Sequence, residues 1–346
     1  MKSRFFGAVG ALLLASGMLV MAQTAGPPPP AMPAADADHN GFPDFGYKEV
    51  PGWGKLPNGR KWGGISGIDI DRDGKSVWVF DRCESADDGC ATNPNLDPIL
   101  KFDQNGNLVK SFGKGTIVYP HGIYVDAQNN IWIADGLAKS GKAGNVVRKY
   151  DQNGKLLLTI GEFGVAGTDP YHFNAVSDVI VGPDGAIYIA DGHDQRTNGR
   201  MLKYDRNGKF IMQWGKVGAD PGDFNPPHGL AFDKEGRLYV ADRSNNRIQI
   251  FDQNGKLLGI WKQFGRPSGI YIDKNDNIYV ADSLSNEMTN PGFKNGIRWG
   301  KVSDGKVVGF IPWGEYNAIE AVVTDDAGNI FAGFTNTLNF RKFAKS

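Results

Sequence analysis

The sequence predicts an all-β fold, a six-bladed β-propeller of four-stranded blades closed by an N-terminal strand in the last blade. Three observations predict it. A pair of short strands around a polar turn recurs. It reads "SGIDIDRDGKSVWVFD" from Ser66, "HGIYVDAQNNIWIAD" from His121 and "SDVIVGPDGAIYIAD" from Ser177. It reads "HGLAFDKEGRLYVAD" from His228, "SGIYIDKNDNIYVAD" from Ser268 and, more divergently, "EAVVTDDAGNIFAGF" from Glu320. The repeat spacing is about 40–55 residues, the period of propeller blades. Glycine is abundant, at 47 of 346 residues, and long helical periods are absent, which suits short strands joined by tight turns.

Taken in order, the chain begins with Lys2 and Arg4 ahead of an apolar run from Phe5 to Val20, with small residues around Ala22 to Ala25. That is the pattern of a secretory signal over residues 1–25. The run is shorter than the ~20 residues a membrane span needs, so no span is expected after cleavage. Residues 26–43 are rich in proline and poor in apolar bulk, hence a linker. The propeller is expected over residues 44–346. An orphan strand, "GYKEVPGW" from Gly46 to Trp53, precedes the first repeat, while the chain after Glu320 supplies only three strands. The orphan is therefore expected to complete blade six and remove an exposed edge.

The two cysteines, Cys83 and Cys90, lie in "DRCESADDGC". In an exported chain, periplasmic or secreted, a disulfide between them is expected. So short a loop would gain about 2–3 kcal/mol and hold Arg82 beside it. A thiolate metal site is disfavoured, because no further cysteine completes one.

Most repeats continue into a third strand and turn such as "KYDQNGKLL" or "IFDQNGKLL", then a fourth strand ending near "WG" or "FG". Acidic and basic residues balance at 38 each with no charge run, which argues against nucleic acid as a partner.

The first strand of a propeller blade lines the central channel. The residues at the heads of these strands run Ser66, His121, Ser177, His228, Ser268, Glu320. The larger, ligand-capable side chains fall in alternate blades, about 120° apart around the axis, and so converge. Two imidazoles and a carboxylate with one face open form the protein half of a catalytic metal site. Zinc is the expected ion, with iron and manganese as alternatives. The serines are small enough to leave room and are candidates to hold water or substrate. The plainer alternative is that His121 and His228 cap strands as satisfied polar residues.

At these residues the sequence resembles the NHL-repeat propellers, and among them the peptidyl-α-hydroxyglycine α-amidating lyases. The similarity is densest in "YHFNAVSDVIVGPDGAIYIADG", "GKFIMQWG" and "PGDFNPPHGLAFDKEGRLYVADRSNNRIQIF". The resemblance implies a zinc ion on three channel histidines. It carries His121 and His228 over directly and puts Glu320 third. It implies a catalytic arginine at Arg82, in "VWVFDRCE", and puts His193, in "IADGHDQ", where the family has a catalytic tyrosine. The family's calcium carboxylate falls on Ala321, so calcium is not expected. The implied reaction breaks the C–N bond of a C-terminal α-hydroxyglycine, releasing an amide and glyoxylate from a small peptide substrate.

An imidazole titrates near neutral pH, which suits His193 to the base role; the alternative is a solvated loop residue. Arg82 could clamp a carboxylate bidentately or serve as an interblade ion-pair residue. Arg243, after "YVAD", occupies the equivalent place in blade four and joins Ser66, Ser177 and Ser268 as a substrate-binding candidate. His172 is expected to support the loop into blade three. Two other readings stand beside the lyase. One is a non-enzymatic module binding a protein or peptide partner at its loop face. The other is a calcium-dependent lactonase-like propeller, weakened because calcium favours oxygen ligands.

Overall fold

The computed structural model describes residues 46–314 and 318–345. The expected signal and linker lie outside the described residues. Six four-stranded antiparallel sheets form the blades of a propeller. The inner strands are Ile65–Ile70, Pro120–Val125, Val176–Val181, Pro227–Phe232, Pro267–Ile272 and Ile319–Thr324. Each packs against the next around the ring, and the first also packs against the last. The expected closure is present: Tyr47–Glu49 pairs antiparallel with Asn339–Lys345 as the outer strand of blade six. Trp53 then seals the seam between blades six and one, within 4.8 Å of the Phe331 ring centroid and 5.4 Å of Phe340.

The repeated sequence features each have a structural cause. The second strands read "IWIAD", "IYIAD" and "LYVAD" because both faces are buried between neighbouring blades. The turn aspartates accept from backbone N–H groups two and four residues on; Asp126 Oδ1 takes Gln128 and Asn130 at 2.9 Å each. The aspartate closing the second strand turns inward and captures the loop entering its own blade. Asp135 accepts from the Val118 and Tyr119 amides at 3.1 and 2.7 Å, and Asp242 from the Asn225 amide at 2.7 Å. Those loops deliver His121 and His228.

At both histidines the register with the second strand shifts between Pro and the residue three on, a bulge that re-aims the side chain. The glycine that follows permits close approach of the next blade. A Cβ on Gly122 would stand 2.2 Å from Asp178 Oδ1, and one on Gly229 would stand 2.5 Å from the Ser268 carbonyl oxygen.

Candidate metal centre

His121 and His228 lie side by side at one mouth of the channel, each 2% exposed, with ring centroids 4.7 Å apart. Their tautomers follow from their partners. His121 Nδ1 lies 2.6 Å from the Ser177 carbonyl oxygen, and His228 Nδ1 lies 3.1 Å from that of Ser268. A carbonyl can only accept, so each Nδ1 carries the proton and each Nε2 keeps its lone pair.

The expected serines take part in the same ring of bonds. Ser66 Oγ donates to the Pro120 and His121 carbonyls at 3.0 Å, and Ser177 Oγ to the Pro227 carbonyl at 2.8 Å. Ser268 Oγ donates to Ser283 Oγ at 2.8 Å. All three line a channel cavity of about 730 Å³, but their hydroxyl protons are used to hold the blades and histidines in place.

The third member of the cluster differs from the expected Glu320. It is His193, whose ring centroid lies 4.9 Å from His121 and 5.5 Å from His228. One ligand-capable atom from each of the three lies within 4.8 Å of the others. His193 comes from a loop rather than a strand head. Gly192 turns the chain there at φ 140°, and a Cβ would stand 1.6 Å from the Asn198 carbonyl oxygen. Thr197 Oγ1 then accepts from the His193 and Asp194 amides at 2.8 and 3.0 Å. The sequence signal for this residue is its place just after the second strand, one position beyond the one that Arg82 and Arg243 occupy in their blades.

Glu320 is in the channel, 8% exposed, but faces two arginines. Its Oε1 lies 3.2 Å from Arg243 Nη1 and its Oε2 lies 3.6 Å from Arg82 Nη2. The Glu320 carboxylate thus serves as a counter-ion between two buried guanidiniums. Arg82 is fixed by bonds from Nε to the Pro120 carbonyl at 3.1 Å and from Nη1 to the Ala86 carbonyl at 3.2 Å. Its guanidinium lies 4.1 Å from the Tyr119 ring centroid, a cation–π contact absent from the sequence reading. The Cys83–Cys90 disulfide is formed and anchors the turn that follows Arg82. Arg243 Nη1 also lies 2.8 Å from His228 Nε2, and Nη2 donates to the His193 carbonyl at 3.0 Å. Away from the centre, His172 bridges Asp169 and Glu162 in the loop into blade three, and those carboxylates raise its pKa.

The electrostatics keep the three imidazoles neutral. Burial pushes the His121 pKa down to about 4, with Glu320 opposing and Arg82 and Arg243 adding. Burial, then Arg243, pushes His193 and His228 well below the ordinary range. The centre also holds buried atoms with no hydrogen-bond partner among the described residues: Nε2 of His121 and His193, Nη2 of Arg82, Nε of Arg243 and Oε2 of Glu320. Unpartnered buried polar atoms in one place are costly unless a ligand satisfies them. Three neutral imidazoles, two with unpartnered nitrogens, are a donor set that fits a borderline divalent metal such as zinc.

Fold and site together define a six-bladed propeller with an imidazole cluster at its channel mouth. Comparison with known proteins adds that residues 224–251 match the NHL repeat. NHL repeat-containing protein 3 of Homo sapiens is 36% identical over 173 residues, 48% of this chain and 49% of that protein. A probable peptidyl-alpha-hydroxyglycine alpha-amidating lyase of Caenorhabditis elegans is 29% identical over 204 residues, 55% of each chain. The chain therefore spans about half the length of these two relatives. A gluconolactonase from Xanthomonas campestris superposes with a TM-score of 0.58 at 18% identity, covering 92% of this chain and 99% of that one; this likeness shows the fold.

Proposed function

We propose that the protein is an exported, metal-dependent carbon–nitrogen lyase acting on a C-terminal α-hydroxyglycine. The observation that carries this reading is the cluster of His121, His193 and His228 beside Arg82, in a chain with relatives named amidating lyase. The three imidazoles would hold zinc, which supplies Lewis-acid stabilisation of a developing alkoxide. Arg82, with its buried Nη2 unpartnered, binds the substrate carboxylate.

With His193 in the donor set, the base role passes to Glu320. Its Oε2 is buried, accepts no hydrogen bond and lies 3.6 Å from Arg82 Nη2, so it takes the hydroxyl proton once Arg82 turns to the substrate carboxylate. The C–O bond becomes a carbonyl, the C–N electrons pass to the amide nitrogen, and the proton taken by Glu320 passes to that nitrogen to complete the amide. Glyoxylate leaves as the second product. The roles expected for His193 and Glu320 are thus exchanged. The Cys83–Cys90 disulfide and the apolar N-terminal run support export.

The test is glyoxylate release from an α-hydroxyglycine peptide, with and without chelator, alongside elemental analysis of the purified protein. Chelator-sensitive release is the expected result. No bound transition metal and no release would overturn the reading, and retained binding of a peptide or protein partner without turnover would point to a binding module instead.

A further inference from the structure

His228 offers one lone pair, and a cation of the chain already takes it. Nδ1 donates to the Ser268 carbonyl, so Nε2 is the acceptor, and Arg243 Nη1 lies 2.8 Å from it. A guanidinium only donates and stays charged, so this contact is an N–H bond into the lone pair a metal would use. We infer that Arg243 is an internal occupant of the metal site: it holds His228 Nε2 when no metal is present, yields it on metal binding, and then binds a carboxylate. This rests on the metal reading above and adds a coupling between metal and anion.

The surroundings allow the release without loss of the side chain's anchors. Nη1 retains Glu320 Oε1 at 3.2 Å, and Nη2 retains the His193 carbonyl at 3.0 Å. Nε is buried and has no partner, so a donor already waits for an anion. Charge favours the same outcome. Arg82 and Arg243 share the one Glu320 carboxylate, and Arg266 adds a third guanidinium whose pKa burial and Arg243 pull down to about 10. A divalent ion on neutral imidazoles would increase that positive excess, and a carboxylate offsets it. Metal therefore tightens carboxylate binding, and by reciprocity carboxylate tightens metal binding.

The test titrates the full chain with zinc in a chelator buffer, with and without excess acetate. Wild type is compared with Arg243→Leu, whose folding is checked by circular dichroism. A hydrogen bond from a charged group should cost the metal about tenfold, so Arg243→Leu binds zinc about tenfold more tightly. Acetate tightens zinc binding several-fold in wild type and not in the variant. Equal zinc affinity of the two proteins, or a wild type indifferent to acetate, overturns the inference while leaving the metal reading in place. A wild type that binds no zinc overturns both. If the leucine variant does not fold, the acetate response of wild type decides alone.

Discussion

The Nε2 atoms of His121 and His193 are the most exacting feature at the residue scale, because each is buried with no hydrogen-bond partner among the described residues. If they are metal ligands, binding and turnover separate cleanly between two variants. His193→Ala loses zinc affinity by more than about 100-fold, beyond what loss of a merely supporting partner costs. Glu320→Gln keeps zinc and lowers kcat by about 10²–10⁴-fold, the range of a lost general base. Equilibrium dialysis and the glyoxylate assay read the two separately; the reverse pattern would return Glu320 to the donor set. Acid titration gives a second check. A depressed pKa keeps the lone pair available at lower pH, so His121, at about 4, stays unprotonated where an ordinary imidazole would charge near 6.5. Zinc binding is expected to hold from pH 7 down to about pH 5 and to fail near pH 4; loss already at pH 6.5 would contradict the burial of the cluster. His121 and His228 were legible because a repeat makes their equivalence visible. His193 was legible as a site residue but not as a member of the imidazole cluster, because its reach depends on the loop turned by Gly192 and no strand period records that.

The element that matters most is the loop-and-bulge unit at the head of each blade. Its sequence marks are the "HG" or "SG" pair and the distant "AD", and the structure joins them. The aspartate of the second strand holds the backbone that carries the channel residue, so a motif sixteen residues downstream sets where Tyr119 lies. Asp135→Ala would leave the Val118 and Tyr119 amides without their acceptor. The expected cost is about 2–4 kcal/mol from two stranded donors, read by urea unfolding. Because the same loop presents His121, zinc affinity falls as well. A variant with unchanged stability and intact metal binding would show that the aspartate is incidental. The Ser and His side chains were read as facing a ligand. In the ring, each Ser66 and Ser177 hydroxyl and each His121 and His228 Nδ1 reaches a main-chain oxygen of the following blade. Sequence alone showed the residues at equivalent heads, but not which neighbour would use their donors.

At the scale of the whole molecule, the ring must close before the channel has a mouth at all. Strand counting revealed the closure, since a final unit one strand short and an unpaired strand at the start have one mutual solution. The structure gives that solution its energy. Tyr47 Oη donates to the Gly328 carbonyl at 3.1 Å, the Tyr47 ring meets Trp299 edge-on at 5.5 Å, and Glu49 pairs with Arg341 at 2.8 Å. Comparing a chain begun at residue 46 with one begun at residue 51 isolates this contribution. The shorter chain loses about 2–3 kcal/mol from one aromatic contact and a few hydrogen bonds. That corresponds to a melting temperature lower by about 5 °C for a domain of this size. It also leaves Asn339–Lys345 as an uncovered edge with free backbone donors and acceptors, so self-association should rise with concentration in size-exclusion chromatography. The three imidazoles come from blades two, three and four, and Tyr47–Glu49 pairs at the outer rim of blade six rather than in the channel, so zinc affinity should survive in whatever fraction stays folded. If the two chains melt together and both remain monomeric, the outer strand is ornamental, and the ring must draw its closure from Trp53 and the contact between the first and last inner strands.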